Sequence, residues 1–218
     1  MTPTYMVFLG SARDSAPPRP VRLGLRVAHA ILLQLKHRGA QAVLVDPLDI
    51  DLGRTFKPHF AYAKGTAPAA LDALAGQIAR VDGYVMVSPE YNHSMSPALS
   101  HLLNYFGSSL FSYKPSVITT YSAGQWGGVR AAVGMRGFLS ELGCLLVSAM
   151  IHVPKAQEVF AEDGSFHDGV AADEWSDYMT RAMAQLDWWA RAARYQRGMD
   201  DSPLPDAFTR DPSHRNAP

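Results

Sequence analysis

The sequence predicts an α/β protein, a five-stranded parallel sheet with helices on both faces, and three observations carry that expectation. Five short apolar runs alternate with stretches whose apolar residues recur at helical spacing, and right-handed crossovers leave a parallel sheet as the topology that fits. Three of the runs end in loops bearing Gly, Ser or Pro that lead directly into helices. At 218 residues the chain suits one domain with a full core, and it shows neither an internal repeat nor a second boundary.

The first strand is expected at Tyr5-Met6-Val7-Phe8-Leu9, running into Gly10-Ser11-Ala12-Arg13 and a proline-rich stretch to Pro20. A helix then presents Val21, Leu25, Ala28, Leu32 and Leu35 on one face and ends at Gly39, which suits a C-terminal glycine. Ala42 to Val45 reads as the second strand. The segment from Asp46 to Gly65 is irregular, and a loop that long inside a compact domain implies short helical turns or a functional role. Pro68 opens the next helix, with Leu71, Leu74, Ala75 and Ile78 facing inward. Tyr84 to Val87 is the third strand, stopped at Pro89 because proline cannot donate to a ladder. After Glu90-Tyr91-Asn92-His93, Ser96 suits an N-cap and Pro97 a first helical position, and Leu99, Leu102, Leu103 and Phe106 share the buried face. Val117 to Tyr121 is the fourth strand, and a helix from Gly127-Gly128 to about Leu142 follows it. Cys144 to Met150 is the fifth strand. From Asp173 a last helix carries an aromatic stripe including Trp175, Tyr178 and Trp189, expected in the core or at a subunit interface. The domain is expected to span residues 1–197, with residues 198–218 a flexible or arm-like tail rich in proline and polar residues.

Composition narrows the function. Lys+Arg and Asp+Glu number 20 each, a balance that gives no support for nucleic acid or a membrane surface as partner. The single cysteine, Cys144, excludes an intramolecular disulfide and reads as a core residue. No basic start with an apolar run marks a leader, and no run is long enough to span a bilayer, so a soluble, cytoplasmic protein is expected.

The three loops carry the chemistry. The first offers hydroxyls and guanidinium groups, Ser11 and Arg13 among them, beside the amides of a helix N-terminus, the parts that bind phosphate. It is neither a GxxxxGK[ST] loop nor a GxGxxG fingerprint. The second, Pro89-Glu90-Tyr91-Asn92, adds a ring and polar groups; the third, Ser122 to Gly128, adds small residues that let a flat ring lie against backbone amides. A planar ring bearing one phosphate satisfies all three.

GSAR after the first strand, PEYNHSMSPAL after the third and YSAGQWGGVRA after the fourth resemble the NADPH-dependent FMN reductase family of flavodoxin-like folds, over about Thr4 to Phe166. The resemblance implies strand order 2-1-3-4-5, so that the three loops converge, as FMN sites do at the switch point of such sheets. It implies FMN as cofactor, NADPH or NADH as hydride donor, a small acceptor such as a quinone, and a homodimer or homotetramer. By motif, Ser11 and Arg13 hold the phosphate with Arg19 completing the site, Pro89, Glu90, Tyr91 and Asn92 line the ring and ribityl chain, and Ser122, Ala123 and Gly124 face the pyrimidine edge. Tyr91 and Trp126 are placed to shape the stacking face. No catalytic side chain and no metal are expected, because flavin chemistry needs positioning more than acid–base groups. Release of reduced FMN to a monooxygenase, and a carrier or redox-sensing role, are the alternative readings.

Overall fold

A computed structural model describes residues 2–14, 22–53, 55–199 and 204–205. Strands β1 (Thr4–Leu9), β2 (Gln41–Val45), β3 (Gly83–Tyr91), β4 (Ser94–Met95), β5 (Pro115–Tyr121), β6 (Leu145–Leu146) and β7 (Ile151–Val153) alternate with helices α1 (Leu23–His37), α2 (Ala69–Arg80), α3 (Pro97–Asn104), α4 (Ser108–Phe111), α5 (Val129–Glu141), α6 (Ala156–Val159) and α7 (Ala172–Arg197). The sheet order is β2-β1-β3-β5-β6, parallel throughout, with β7 also beside β5 and β4 pairing antiparallel to β3. With β6 and β7 sharing the fifth position, this is the expected order 2-1-3-4-5.

The sheet separates two cores. On one face Val7, Leu9, Val85, Val87 and Val117 pack under α1 and α7; on the other, Met6, Phe8, Tyr84, Met86 and Ile118 pack under α2, α3 and α5. Alternate residues of one strand therefore serve opposite layers, the reason the strands read as continuous apolar runs. The inward faces of α2 and α3 are those the spacing predicts, and Ser96 caps α3 by accepting from the Leu99 N–H at 3.1 Å. Cys144 is buried, and desolvation pushes its thiol up to about 12.

Three expectations need correction. The buried face of α1 is Val27, Ala28, Ile31 and Leu35, with Leu25 and Leu32 only half-buried at its border and Val21 outside the described residues. The cause is that α1 touches α6 and α7 as well as the sheet, so its covered surface is wider than one stripe. The third strand continues through Pro89 to Tyr91. The Gly10 N–H donates to the Val87 carbonyl at 2.7 Å, so by strand alternation Pro89 turns its missing N–H toward the side on which β1 has already ended. The fifth strand is broken into β6 and β7, and at the break Gln185 of α7 accepts from the Ser148 hydroxyl and the Ala149 N–H, each at 3.0 Å. In the last helix Trp175 and Tyr178 pack against the core and Trp189 is 46% exposed, while Met179, Ala182, Met183, Leu186 and Ala190 form the buried side of α7.

The Asp46 to Gly65 loop contains 3-10 turns at Pro47–Asp49 and His59–Ala61. It is fastened to α3 by the Tyr105 hydroxyl donating to the Leu52 carbonyl and by the His59 N–H donating to the Tyr105 carbonyl. Among the described residues no helix is long and apolar enough to cross a membrane.

Candidate active site

Because β1, β3 and β5 are adjacent and parallel, the loops that follow them leave one edge of the sheet together. Gly10 makes the first departure possible, since a Cβ there would stand 2.6 Å from the Val87 carbonyl oxygen. Ser11 is buried and shares a hydrogen bond with the Tyr121 phenol, while its carbonyl accepts from the Arg22 guanidinium at 3.0 Å. Burial pushes the Tyr121 phenol well above its ordinary pKa, against the opposing effects of that hydrogen bond and of the Arg13 and Arg22 charges. Arg13 is half-buried and close enough to act on this hydroxyl. Arg22, left-handed at φ 51°, forms the N-cap of α1 and pairs with Asp46 at 2.7 Å.

The second segment is a hairpin. Glu90 pairs with Met95 and Tyr91 with Ser94, and the turn residues Asn92 and His93 have φ of 50° and 62°, two left-handed residues in succession as a type I′ turn requires. Tyr91 is 46% exposed in this hairpin arm. The Glu90 carboxylate is committed elsewhere: it accepts from Arg130 Nε at 2.7 Å and from the backbone N–H groups of Arg130 and Ala131 at 3.1 and 3.3 Å. Burial of Glu90 opposes ionisation, but the Arg130 bond and the two amides outweigh it and hold the carboxyl below the usual range. It thus serves as the anion at the N-terminus of α5.

The third loop folds on itself. Ser122 Oγ donates to the Gly124 carbonyl at 2.7 Å and accepts from the Gly127 N–H at 2.9 Å. Gln157 donates to the Ala123 carbonyl at 3.0 Å. Gly127 and Gly128 have φ of 60° and 77°, and a Cβ on Gly128 would lie 2.9 Å from Thr120 Cβ, so glycine is needed on both conformational and steric grounds. Trp126 is 59% exposed above this turn.

The structure therefore brings Ser11, Arg13, Pro89, Glu90, Tyr91, Asn92, Ser122, Ala123 and Gly124 to one edge; Arg19 lies outside the described residues. Tyr121 links to the first loop through Ser11, and Glu90 links the second to the helix after the third. Sequence reading missed Arg22, Asp46 and Tyr121. An arginine opening a helix and an aspartate closing a strand were visible, but nothing local marks them as partners. The helices that leave this edge differ at their N-termini: Ser96 caps α3 and Glu90 supplies the anion for α5. The N-cap of α1, Arg22, carries no acceptor and makes no side-chain cap bond.

The family model for NADPH-dependent FMN reductases matches residues 4–158, a stretch that holds every strand and all three loops. The chain belongs to the NADPH-dependent FMN reductase family. Within the family it is 34% identical over 84 residues to a quinone reductase of Escherichia coli (strain K12), 37% of this chain and 45% of that protein. It is 29% identical over 137 residues, 61% of this chain and 71% of the other, to the NAD(P)H-dependent FMN reductase PA1204 of Pseudomonas aeruginosa. The chain thus spans about half the length of the first of these relatives and somewhat more of the second. Among solved structures it is similar to FerB, a flavoenzyme NAD(P)H:(acceptor) oxidoreductase from Paracoccus denitrificans. The TM-score is 0.65 at 20% identity, over 87% of this chain and 98% of FerB, a likeness of fold.

Proposed function

We propose that this chain binds FMN in the crevice between the three loops and passes electrons from NADPH or NADH to a small flat acceptor of the quinone or azo class. The observation that carries the reading is the convergence of the three loops at the sheet's switch point, where Arg13 lies in the first loop and the other two expose the rings of Tyr91 and Trp126. Arg13 and the first amides of α1 hold the phosphate, with Ser11 as part of the same loop. The backbone of Pro89 to Asn92 lines the ring and ribityl chain, and the Ala123–Gly124 backbone borders the pyrimidine edge. When bound, FMN supplies hydride acceptance and onward electron transfer. The protein's own contribution is to hold the ring with one face open, flanked by Tyr91 and Trp126, so that the nicotinamide and then the acceptor stack in turn. Glu90 keeps its position through Arg130 and acts on the hairpin's placement and not as a proton carrier. The working form is a homodimer or homotetramer, a reading supported by the exposed Trp188, Trp189 and Tyr195 on α7, and its compartment is the cytoplasm.

The test is spectroscopic. Purified protein, or apoprotein titrated with FMN, is expected to show the visible bands of bound oxidised flavin, to bleach on anaerobic NADPH or NADH, and to regain colour on addition of a benzoquinone. Recovery of FAD on heat release, or absence of any flavin binding at micromolar FMN, would overturn the proposal. Reduced FMN appearing free in solution before any acceptor is added would favour the flavin-supplying alternative.

A further inference from the structure

The glycine-rich loop rests on two side chains to which the reading above gives no part. Thr120 is fully buried near the end of β5, and its hydroxyl donates to the Gly127 carbonyl at 2.8 Å while lying 2.8 Å from His152 Nδ1. A threonine hydroxyl has one hydrogen. With that hydrogen on Gly127, the imidazole must supply the other, so Nδ1–H of His152 donates to Thr120 Oγ1. His152 pairs with Thr120 across β5 and β7, and its own backbone N–H donates to the Tyr178 hydroxyl at 2.8 Å. Burial lowers the pKa of this half-buried histidine, in keeping with a neutral ring and the tautomer just assigned.

Gly127 is thereby gripped from both sides, its carbonyl by Thr120 and its N–H by Ser122, whose hydroxyl in turn holds the Gly124 carbonyl. The chain of bonds runs from Tyr178 on α7 through His152 and Thr120 to the loop that holds Gly124. A Cβ on Gly124 would meet no heavy atom within 4 Å. We propose that Thr120 and His152 are positioning residues for the flavin: they fix the direction of the Gly127 peptide and, through Ser122, aim the Ala123–Gly124 backbone at the bound ring. The inference rests on the FMN reading and adds to it a residue pair beneath the site that touches no ligand.

The experiment titrates FMN into apoprotein by quenching of flavin fluorescence and records the visible circular dichroism of the bound ring. Thr120→Val keeps the shape and removes the hydroxyl; FMN affinity is expected to fall tenfold or more, with an altered dichroism. Thr120→Ser restores the hydroxyl and is expected to stay within threefold of wild type. Wild-type affinity and dichroism in Thr120→Val would overturn the inference, as would a Thr120→Ser variant as weak as the valine one. Should Thr120→Val lack a cooperative melt, His152→Leu decides. A threefold or greater loss with altered dichroism supports the pair, and wild-type values overturn it. A wild-type protein that itself fails to bind FMN sinks the FMN reading and this inference together, whereas binding by wild type beside an unaltered variant sinks this one alone.

Discussion

Gly124 and Gly128 sit in one loop and face opposite demands. A Cβ on Gly128 would press on Thr120 at a φ of 77°, whereas one on Gly124 would enter open space from a position with no left-handed backbone. Gly124→Ala is therefore expected to leave the thermal melt unchanged yet weaken FMN binding about tenfold, which corresponds to roughly 1.4 kcal/mol. Unchanged affinity in a titration of the folded variant would remove Gly124 from the cofactor's surroundings. At this scale the sequence told residue type better than residue partner. Ser11 and Glu90 were legible as polar groups in loops at strand ends. That Ser11 meets Tyr121 and Glu90 meets Arg130 depends on strands pairing far apart in the chain, which no local pattern encodes. The same holds for Arg22 and Asp46.

Elements were most legible where their stabilising contacts are local. The faces of α2 and α3 follow from spacing alone, and the cap of α3 from Ser96-Pro97. In the arm from β3 to β4, Pro89 argues against a strand because it lacks a ladder donor, and only the end of β1 makes that missing donor harmless. Glu90 joins this arm to α5, which gives a prediction with a definite sign. Its folded pKa lies below the unfolded value, so its stabilisation is present above the unfolded pKa of about 4.3 and is lost as pH falls through the folded value. Glu90→Gln is expected to cost about 1 kcal/mol at neutral pH, the usual worth of a helix cap, or roughly 2–4 °C in melting temperature. The gap between variant and wild type should close below about pH 4. A gap independent of pH from 7 down to 3.5 would show that the carboxylate's charge is not what α5 uses.

For the whole molecule, the rule of right-handed crossovers gives the parallel sheet and the family resemblance implies its strand order, and the structure has both. Subunit arrangement did not follow, because the aromatic stripe on α7 divides: Trp175 and Tyr178 lean on the core, while Trp188 and Trp189, in edge-to-face contact at 4.7 Å, are exposed. Light scattering at micromolar concentration is expected to give at least twice the 23.8 kDa chain mass. A value equal to one chain would count against assembly through this surface. The broken fifth strand has a consequence of another kind. An uninterrupted outer strand would offer a straight row of unmatched backbone groups on which a strand from a neighbouring, half-folded chain could grow. Here the row is cut to two residues in β6 and three in β7, and between them Gln185 of α7 takes up the Ser148 hydroxyl and the Ala149 amide. On this edge a neighbouring chain meets only short, offset stretches of unpaired backbone, and the side chain that closes the gap between them belongs to the chain itself.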